Sequence, residues 1–343
     1  MSLPLPEKFP ALRNQWFIAC QTHKLRKKPL ASFLMGMPIV LFRDALGHPR
    51  ALLDRCPHRN IPLSKGKIQQ GVIECPYHGW QFDGRGICQH IPGLLRESPV
   101  LSYSVSSFPV LEQDGFIWVN ITPDQSAEAV LPYSPPLLND PKYTSFIWEV
   151  AIEADLLNAL ENFLDGTHTH FIHPGLIRSN NNRSLLTAII RVTQQSVEVE
   201  YTDEKQQSGI IAKLFDRCRS KSYGRFRLPS TAQLEYCSTS GTKMLITVFL
   251  TPKNDTQHKA YIITTYQKNF FPGWLSHSLI KPLFYLALQQ DLHILKLQSK
   301  NIALFDSEDF HSTEIDLIRT SVRQILHQIP HQADLKKSIT INL

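Results

Sequence analysis

The chain has 343 residues, 42% hydrophobic and 19% charged, with a formal net charge of +6. That is a globular composition, long enough for two domains or for a small domain inserted in a larger one. No run nears the roughly eighteen apolar residues needed to cross a bilayer, and the basic residues form no nucleic-acid-binding module. The first residues lack a charged region followed by an apolar core, so a cytoplasmic protein is the expectation.

From Phe9 to about Asn120, short apolar segments alternate with turn residues. Residues 15–20, 38–43 and 115–120 are predicted strands, and Asp44-Ala45-Leu46-Gly47 and Asp83-Gly84-Arg85-Gly86 are predicted hairpin turns. A small antiparallel β domain follows from this pattern. The stretch 122–141 holds five prolines and reads as a linker, placing the domain boundary between 1–125 and 126–343.

Beyond the linker, residues 146–150 are a predicted strand. Leu156, Leu157, Leu160, Phe163 and Leu164 then recur at helical spacing until Pro174-Gly175 should stop regular structure. Strand patterns return at 185–192, 197–201, 233–236, 244–250 and 260–266, as one large antiparallel sheet would require. Two helices close the chain, at 274–305 with a break at Pro282 and at 312–327 with Ile315, Ile318, Val322, Ile325 and Leu326 along one side. The fold class expected is α+β.

Two short segments in the β domain carry metal-binding chemistry: Cys56-Pro57-His58-Arg59-Asn60 and Cys75-Pro76-Tyr77-His78-Gly79-Trp80. Cys2His2 donors can hold zinc. Here, however, each loop mixes one Cys with one His. A cluster with one thiolate-bound and one imidazole-bound iron needs that mixture, which is the Rieske [2Fe–2S] arrangement. The remaining cysteines, Cys20, Cys88, Cys218 and Cys237, have no paired spacing and read as free thiols. Arg55, Arg59, Lys65, Lys67 and Arg85 surround the loops and suit an acidic ferredoxin or reductase, or an ordinary solvated face.

A second constellation spans Glu161 to His173. Asp165 and His168 share a face if the helix continues, whereas His173 needs local unwinding to join them. The alternative is a polar, hydrogen-bonded helix end.

Taken together, C-x-H…C-x-x-H followed by N-x-x-D-x-x-H-x4-H resembles the catalytic α subunits of the Rieske non-haem iron oxygenases over nearly the whole chain. The resemblance implies a [2Fe–2S] cluster on Cys56, His58, Cys75 and His78. It also implies a mononuclear Fe(II) on His168, His173 and a carboxylate, best matched by Asp291, which forms a facial triad with open positions for O2. Asp306 and Asp309 are fallback carboxylates, and His170 could replace one histidine. Asp165 would carry electrons between His168 and a neighbouring subunit's cluster, implying a ring, most often a homotrimer; Asn162 would sit near the iron. Electrons would come from NAD(P)H through a ferredoxin or reductase. The single-chain length and motif spacing resemble the branch that hydroxylates or oxidatively demethylates small organic substrates. A cis-dihydroxylating dioxygenase and a Rieske electron carrier without catalysis are the alternatives. Tyr236, Thr247, Phe249 and Tyr266 are candidates for the pocket wall, with core packing as the stronger reading of each.

Overall fold

In the computed structural model, which describes residues 5–95, 103–122, 131–178, 183–202, 209–215, 219–268, 273–330 and 335–343, the chain divides into two units. One is mainly Arg13–Ser134; the other is mainly Pro135–Leu250 and Asp255–Leu343. The boundary expected at residue 125 and Cys218 lie outside the described residues. The short helix α1 (Leu5–Lys8) opens the described chain.

The first unit is antiparallel β. Strands β1 (Phe17–Gln21), β2 (Leu30–Leu34), β3 (Met37–Arg43), β4 (Pro49–Leu53), β5 (Lys67–Gln69), β6 (Val72–Glu74), β7 (Gln81–Phe82), β8 (Cys88–His90), β9 (Ser107–Phe108), β10 (Val110–Gln113) and β11 (Phe116–Val119) form three sheets. Their orders are β1-β11-β10, β2-β3-β4-β9 and β5-β6-β7-β8. Both predicted turns form around an aspartate that satisfies the turn's own backbone. The Asp44 carboxylate accepts from the Leu46 and His48 amides, and that of Asp83 accepts from the Arg85 and Ile87 amides. Val40, Phe42, Leu52, Ile73 and Phe82 pack with Cys56, Cys75 and Cys88 into one buried cluster, so the metal-loop cysteines belong to the hydrophobic core.

In the second unit, β12 (Tyr143–Glu153), β13 (Leu185–Val192), β14 (Ser196–Thr202), β15 (Arg219–Arg227), β16 (Thr231–Ser238), β17 (Gly241–Asn254), β18 (Gln257–Gln267) and β19 (Leu335–Asn342) make one eight-stranded sheet. Its order is β12-β18-β17-β16-β15-β14-β13-β19. Helix α2 (Leu156–Leu164) starts where the Asp155 carboxylate accepts the Leu157 amide at 2.8 Å, and it buries Leu156, Leu157, Ala159, Leu160 and Leu164. The other helices are α3 (Thr169–Ile172), α4 (Ile210–Phe215), α5 (Gly273–Phe305) and α6 (Arg319–Leu326). Among the described residues, no helix is long and apolar enough to cross a membrane.

The α+β class is as the sequence implied, but several elements differ, and the chain closes not on a helix but on strand β19, which pairs with β13. Helix α5 runs through Pro282 without ending. The helix expected over 312–327 begins only at Arg319, because the Thr313 amide donates to the Asp316 carboxylate and closes a turn instead. Ile315 is accordingly exposed while Ile318, Val322, Ile325 and Leu326 are buried. Strand β15, too polar to read as a strand, is held by cross-strand ion pairs: Arg225 to Glu198 and Glu235, and Lys221 to Glu200.

Candidate metal centres

The two Cys/His loops are built alike. The Cys56 amide donates to the Ile61 carbonyl and the Asn60 amide donates back to the Cys56 carbonyl; Cys75, Trp80 and Gly79 repeat the pattern. Each loop closes on a residue with left-handed backbone, Asn60 at φ 61° and Gly79 at φ 71°. Asparagine and glycine are the residues that adopt this conformation most readily. A Cβ at Gly79 would also meet the Pro92 ring at 2.9 Å.

Cys56 and Cys75 are buried, and the His58 and His78 rings lie 4.4 Å apart. Trp80 stacks on His58 at 4.7 Å with the planes nearly parallel, and Tyr77 packs on His78 at 3.8 Å. Burial pushes the Cys56 thiol up to about 11; the His58 backbone N–H opposes this and the Cys75 thiol adds to it. A buried sulfur such as that of Cys56 becomes a thiolate only beside a cation. The His58 Nδ1 is buried without a hydrogen-bond partner among the described residues, as expected of a lone pair directed at a metal.

The cysteines pair and the histidines pair, but the four do not meet at one point. Among the described residues, only His168, His173 and Asp291 bring three such donor atoms within 4.8 Å of one another. A single zinc ion, with bonds of about 2.0–2.3 Å, would need all four donors that close. A two-iron cluster, with thiolates on one side and imidazoles on the other, suits the arrangement better.

The second centre forms where α2 ends. The helix stops at Leu164, so Asp165 and His168 do not share a helical face as a continuing helix would give. Instead Asp165 caps α2 and folds its carboxylate over the next turn. It accepts from the Thr167 amide at 2.8 Å and the His168 amide at 3.0 Å, and its Oδ2 lies 3.3 Å from His168 Nδ1. His173 ends α3, and its Nδ1 lies 2.8 Å from Gln290 Oε1 on α5. Each ring thus presents Nδ1 to an oxygen acceptor, which places the hydrogen there and leaves a lone pair on Nε2.

Both Nε2 atoms face Asp291 Oδ1, His168 at 3.4 Å and His173 at 3.0 Å. These are ion-pair separations without hydrogen-bond alignment, since Asp291 Oδ1 is buried with no hydrogen-bond partner among the described residues. Three lone pairs directed at one point need a cation between them, and two imidazoles with one carboxylate fit ferrous iron. Without a metal, burial opposes protonation of His168, but Asp165 and Asp291 outweigh it and bring its pKa up to about 9. Burial likewise pushes the Asp165 and Asp291 carboxyls up, and their histidine contacts more than reverse it, so both lie below the usual carboxylate range.

The other candidates fall outside this convergence. His170 is buried but is not one of the three donors. Asp306, Asp309 and His293 are exposed. Asn162 lines the cavity beside His168, and its side-chain oxygen is buried with no hydrogen-bond partner among the described residues.

Asp291 borders an apolar cavity of about 110 Å³ walled by Trp148, Phe163, Ile177, Leu234, Tyr236 and Phe284, with Arg219 as a polar exception. Of the four candidates for this wall, Tyr236 lines it, Thr247 is hydrogen-bonded to Gln233, and Tyr266 packs in the core with Phe146. Phe249 is a buried core residue. A cavity of about 680 Å³ lies on the Asp165 side, with Asn158, Glu161, Gln298, Asn301 and Arg319 in its wall. Its lining mixes these polar side chains with Leu164, Ile294, Leu297 and Ile318, so it suits a hydrophobic substrate less than the small cavity at Asp291 does. Gln290 and Arg219 escaped the sequence reading. Adjacency to Asp291 was the only available signal for Gln290, and Arg219 had none.

The model of the Rieske [2Fe-2S] domain matches residues 15–109, and that of the vanillate O-demethylase oxygenase C-terminal domain matches residues 152–331, just over half the chain. Chlorophyllide a oxygenase of Chlamydomonas reinhardtii is 38% identical over 164 residues, covering 47% of this chain and 24% of that protein. The oxygenase component of dicamba O-demethylase from Stenotrophomonas maltophilia is 37% identical over 165 residues, covering 47% and 48%. The chain therefore spans half or less of the length of these relatives. The crystal structure of dicamba monooxygenase bound to dicamba superposes with a TM-score of 0.74 at 21% identity, over 93% of this chain and 98% of that one, which shows a shared fold.

Proposed function

The chain belongs to the Rieske non-haem iron oxygenases of the vanillate O-demethylase type, and from that membership we propose that it is an oxygenase component that hydroxylates or oxidatively demethylates a small aromatic or alicyclic substrate. The observation that carries this reading is the convergence of His168, His173 and Asp291 on one point beside an apolar cavity. We assign Cys56, His58, Cys75 and His78 to the cluster in an N-terminal domain of residues 1–125. His168, His173 and Asp291 hold the iron in a catalytic domain of residues 126–343. When bound, the cluster would supply single electrons and the ferrous iron would supply O2 activation.

The protein's own residues orient these groups. Asp165 and Gln290 hold the two imidazoles in the tautomer that exposes Nε2. The walls of Trp148, Phe163, Ile177 and Leu234 exclude water from the Asp291 side. Asn162 presents an amide oxygen beside the site. Asp165 is the proposed electron link to the cluster of a neighbouring subunit, which entails a homotrimer or another ring. A ferredoxin or NAD(P)H-dependent reductase is the donor, and the cytoplasm is the compartment. Demethylation or hydroxylation is favoured over cis-dihydroxylation because the catalytic-domain match is to a demethylase oxygenase and dicamba O-demethylase is among the relatives.

The test is iron content and EPR of anaerobically purified protein, wild type beside His168→Ala. Three irons per chain, falling to two with the Rieske signal intact, are expected. Two irons in reconstituted wild type would leave an electron carrier and remove the oxygenase reading.

A further inference from the structure

Strand β3 separates two ends of the first unit. At one end the Asp54 amide, just before the Cys56 loop, donates to the Pro38 carbonyl. At the other, β2 begins where Leu30 pairs with Leu41, so the segment before it, His23-Lys24-Leu25-Arg26-Lys27-Lys28, lies near Arg43. Pro38 to Arg43 is about 17 Å of strand. Arg43 ties this segment to the β3–β4 turn, because its guanidinium donates to the Leu25 carbonyl at 3.0 Å and to the Gly47 carbonyl at 2.8 Å. Leu25 is buried and anchors the segment, while His23, Lys24, Arg26, Lys27 and Lys28 are exposed. On the turn beside them, Leu46 is 80% exposed.

The acidic side chains around this end are already engaged. Glu112 pairs with Arg43, Asp44 pairs with Arg50, and the Asp114 carboxylate accepts from the Gln113 amide. Lys27 and Lys28 have no ion pair among the described residues, and the Arg26 side chain bonds within its own segment, to the His23 carbonyl at 2.9 Å. The positive charge of 26–28 is therefore left for an external partner, with an apolar side chain projecting next to it.

We propose that this end of the first unit is a peripheral membrane contact, in which residues 23–28 lie against an anionic lipid surface and Leu46 enters its headgroup region. The inference goes beyond the oxygenase reading and depends on neither metal nor substrate. Several cations on one short, irregular segment match a diffuse sheet of negative headgroups, which needs no shaped recess to recognise. A folded acidic protein fits less well. The centre of a protein–protein interface is a broad apolar patch, whereas Leu46 is the single large apolar side chain exposed here among the described residues; Phe33, also exposed, pairs with Pro38 at the opposite end of β3.

The experiment is co-sedimentation of the full-length, cluster-loaded protein with vesicles of phosphatidylcholine, alone or with about 30% phosphatidylserine. Wild type is expected to bind the anionic vesicles about fivefold or more tightly than the neutral ones, and to release them as salt rises from about 0.05 M to about 0.5 M. Lys27→Glu with Lys28→Glu should weaken anionic-vesicle binding about tenfold or more, and Lys27→Gln with Lys28→Gln should fall between that pair and wild type. Leu46→Ser should weaken it about twofold at unchanged salt dependence. Lys336→Glu with Lys337→Glu, at exposed positions on β19, changes the net charge equally and should leave binding within about twofold. Cluster absorption equal to wild type confirms that each variant is folded. Equal binding to both vesicle types would overturn the inference and leave a soluble acidic protein as the occupant. Binding that survives Lys27→Glu with Lys28→Glu, or an equal loss from the β19 pair, would also overturn it.

Discussion

The cluster loops and the iron site solve the same problem, placing four or three donors correctly, by opposite means. In the first unit the donors come from two loops with the same backbone hydrogen bonds, each closed by a left-handed residue and each rooted by a cysteine in the core. Local chain geometry does most of the placement. In the second unit, two histidines flank a single helical turn, and the third donor arrives on α5, next to the Gln290 side chain that orients His173. Side-chain hydrogen bonds, one to neighbouring Asp165 and one to distant Gln290, do most of the placement there. A locally built site should fail through its backbone, and an assembled one through its outer partners.

The largest effect should come from Asp291→Ala. It removes one of three converging donors, so substrate-dependent O2 uptake should drop on the order of a thousandfold, while the visible spectrum of the cluster is kept. Loss of the cluster spectrum in that variant would show that the two sites are not independently built.

Acid separates the regions next. His258 on β18 is fully buried, and burial takes its pKa down to about 4, with the charge of Asp155 pulling the other way. Because the folded value lies below the unfolded one, the stabilisation is complete above pH 6.5 and is lost as pH falls from 6.5 towards 4. The loss is roughly 3 kcal/mol. Urea midpoints measured from pH 7.5 to 4.5 should fall for wild type and flatten for His258→Phe. An equal slope in both would refute this assignment.

Gln290→Leu tests the assembled site through its outer partner. Loss of the acceptor for His173 Nδ1 should weaken metal binding about 10–100-fold. The check is Co(II) titration followed by ligand-field absorption, with Gln290→Glu, which keeps an acceptor, recovering most of the affinity. The smallest effects belong to the local loops. Gly79→Ala, strained at φ 71° and crowded by Pro92, should cost about 1–2 kcal/mol. Asn60→Gly, at the equivalent place, should stay within about 0.5 kcal/mol. Thermal unfolding of the cluster-loaded protein would read both, and equal costs would argue against the likeness of the two loops.

This contrast also explains which features were legible in the sequence. The C-x-H and C-x-x-H pairs and the Asp-initiated turns are short-range patterns whose geometry is closed within a few residues. The strands at 185–192 and 260–266 were visible from their apolar composition. Asp291 was reached only through family resemblance, since one aspartate on a long helix has no local signature.

The sequence by itself determined the α+β class and the two Cys/His loops, because their patterns are written in side-chain spacing along short segments, whereas the choice of His168 and His173 among three histidines came from the family resemblance. Only the tertiary structure decided that α2 ends before Asp165 and that α5 continues through Pro282. It also decided that Gln290 faces His173, and that Arg219 borders the cavity. Those outcomes depend on which distant surfaces are buried together, and no local pattern encodes the energy of that packing.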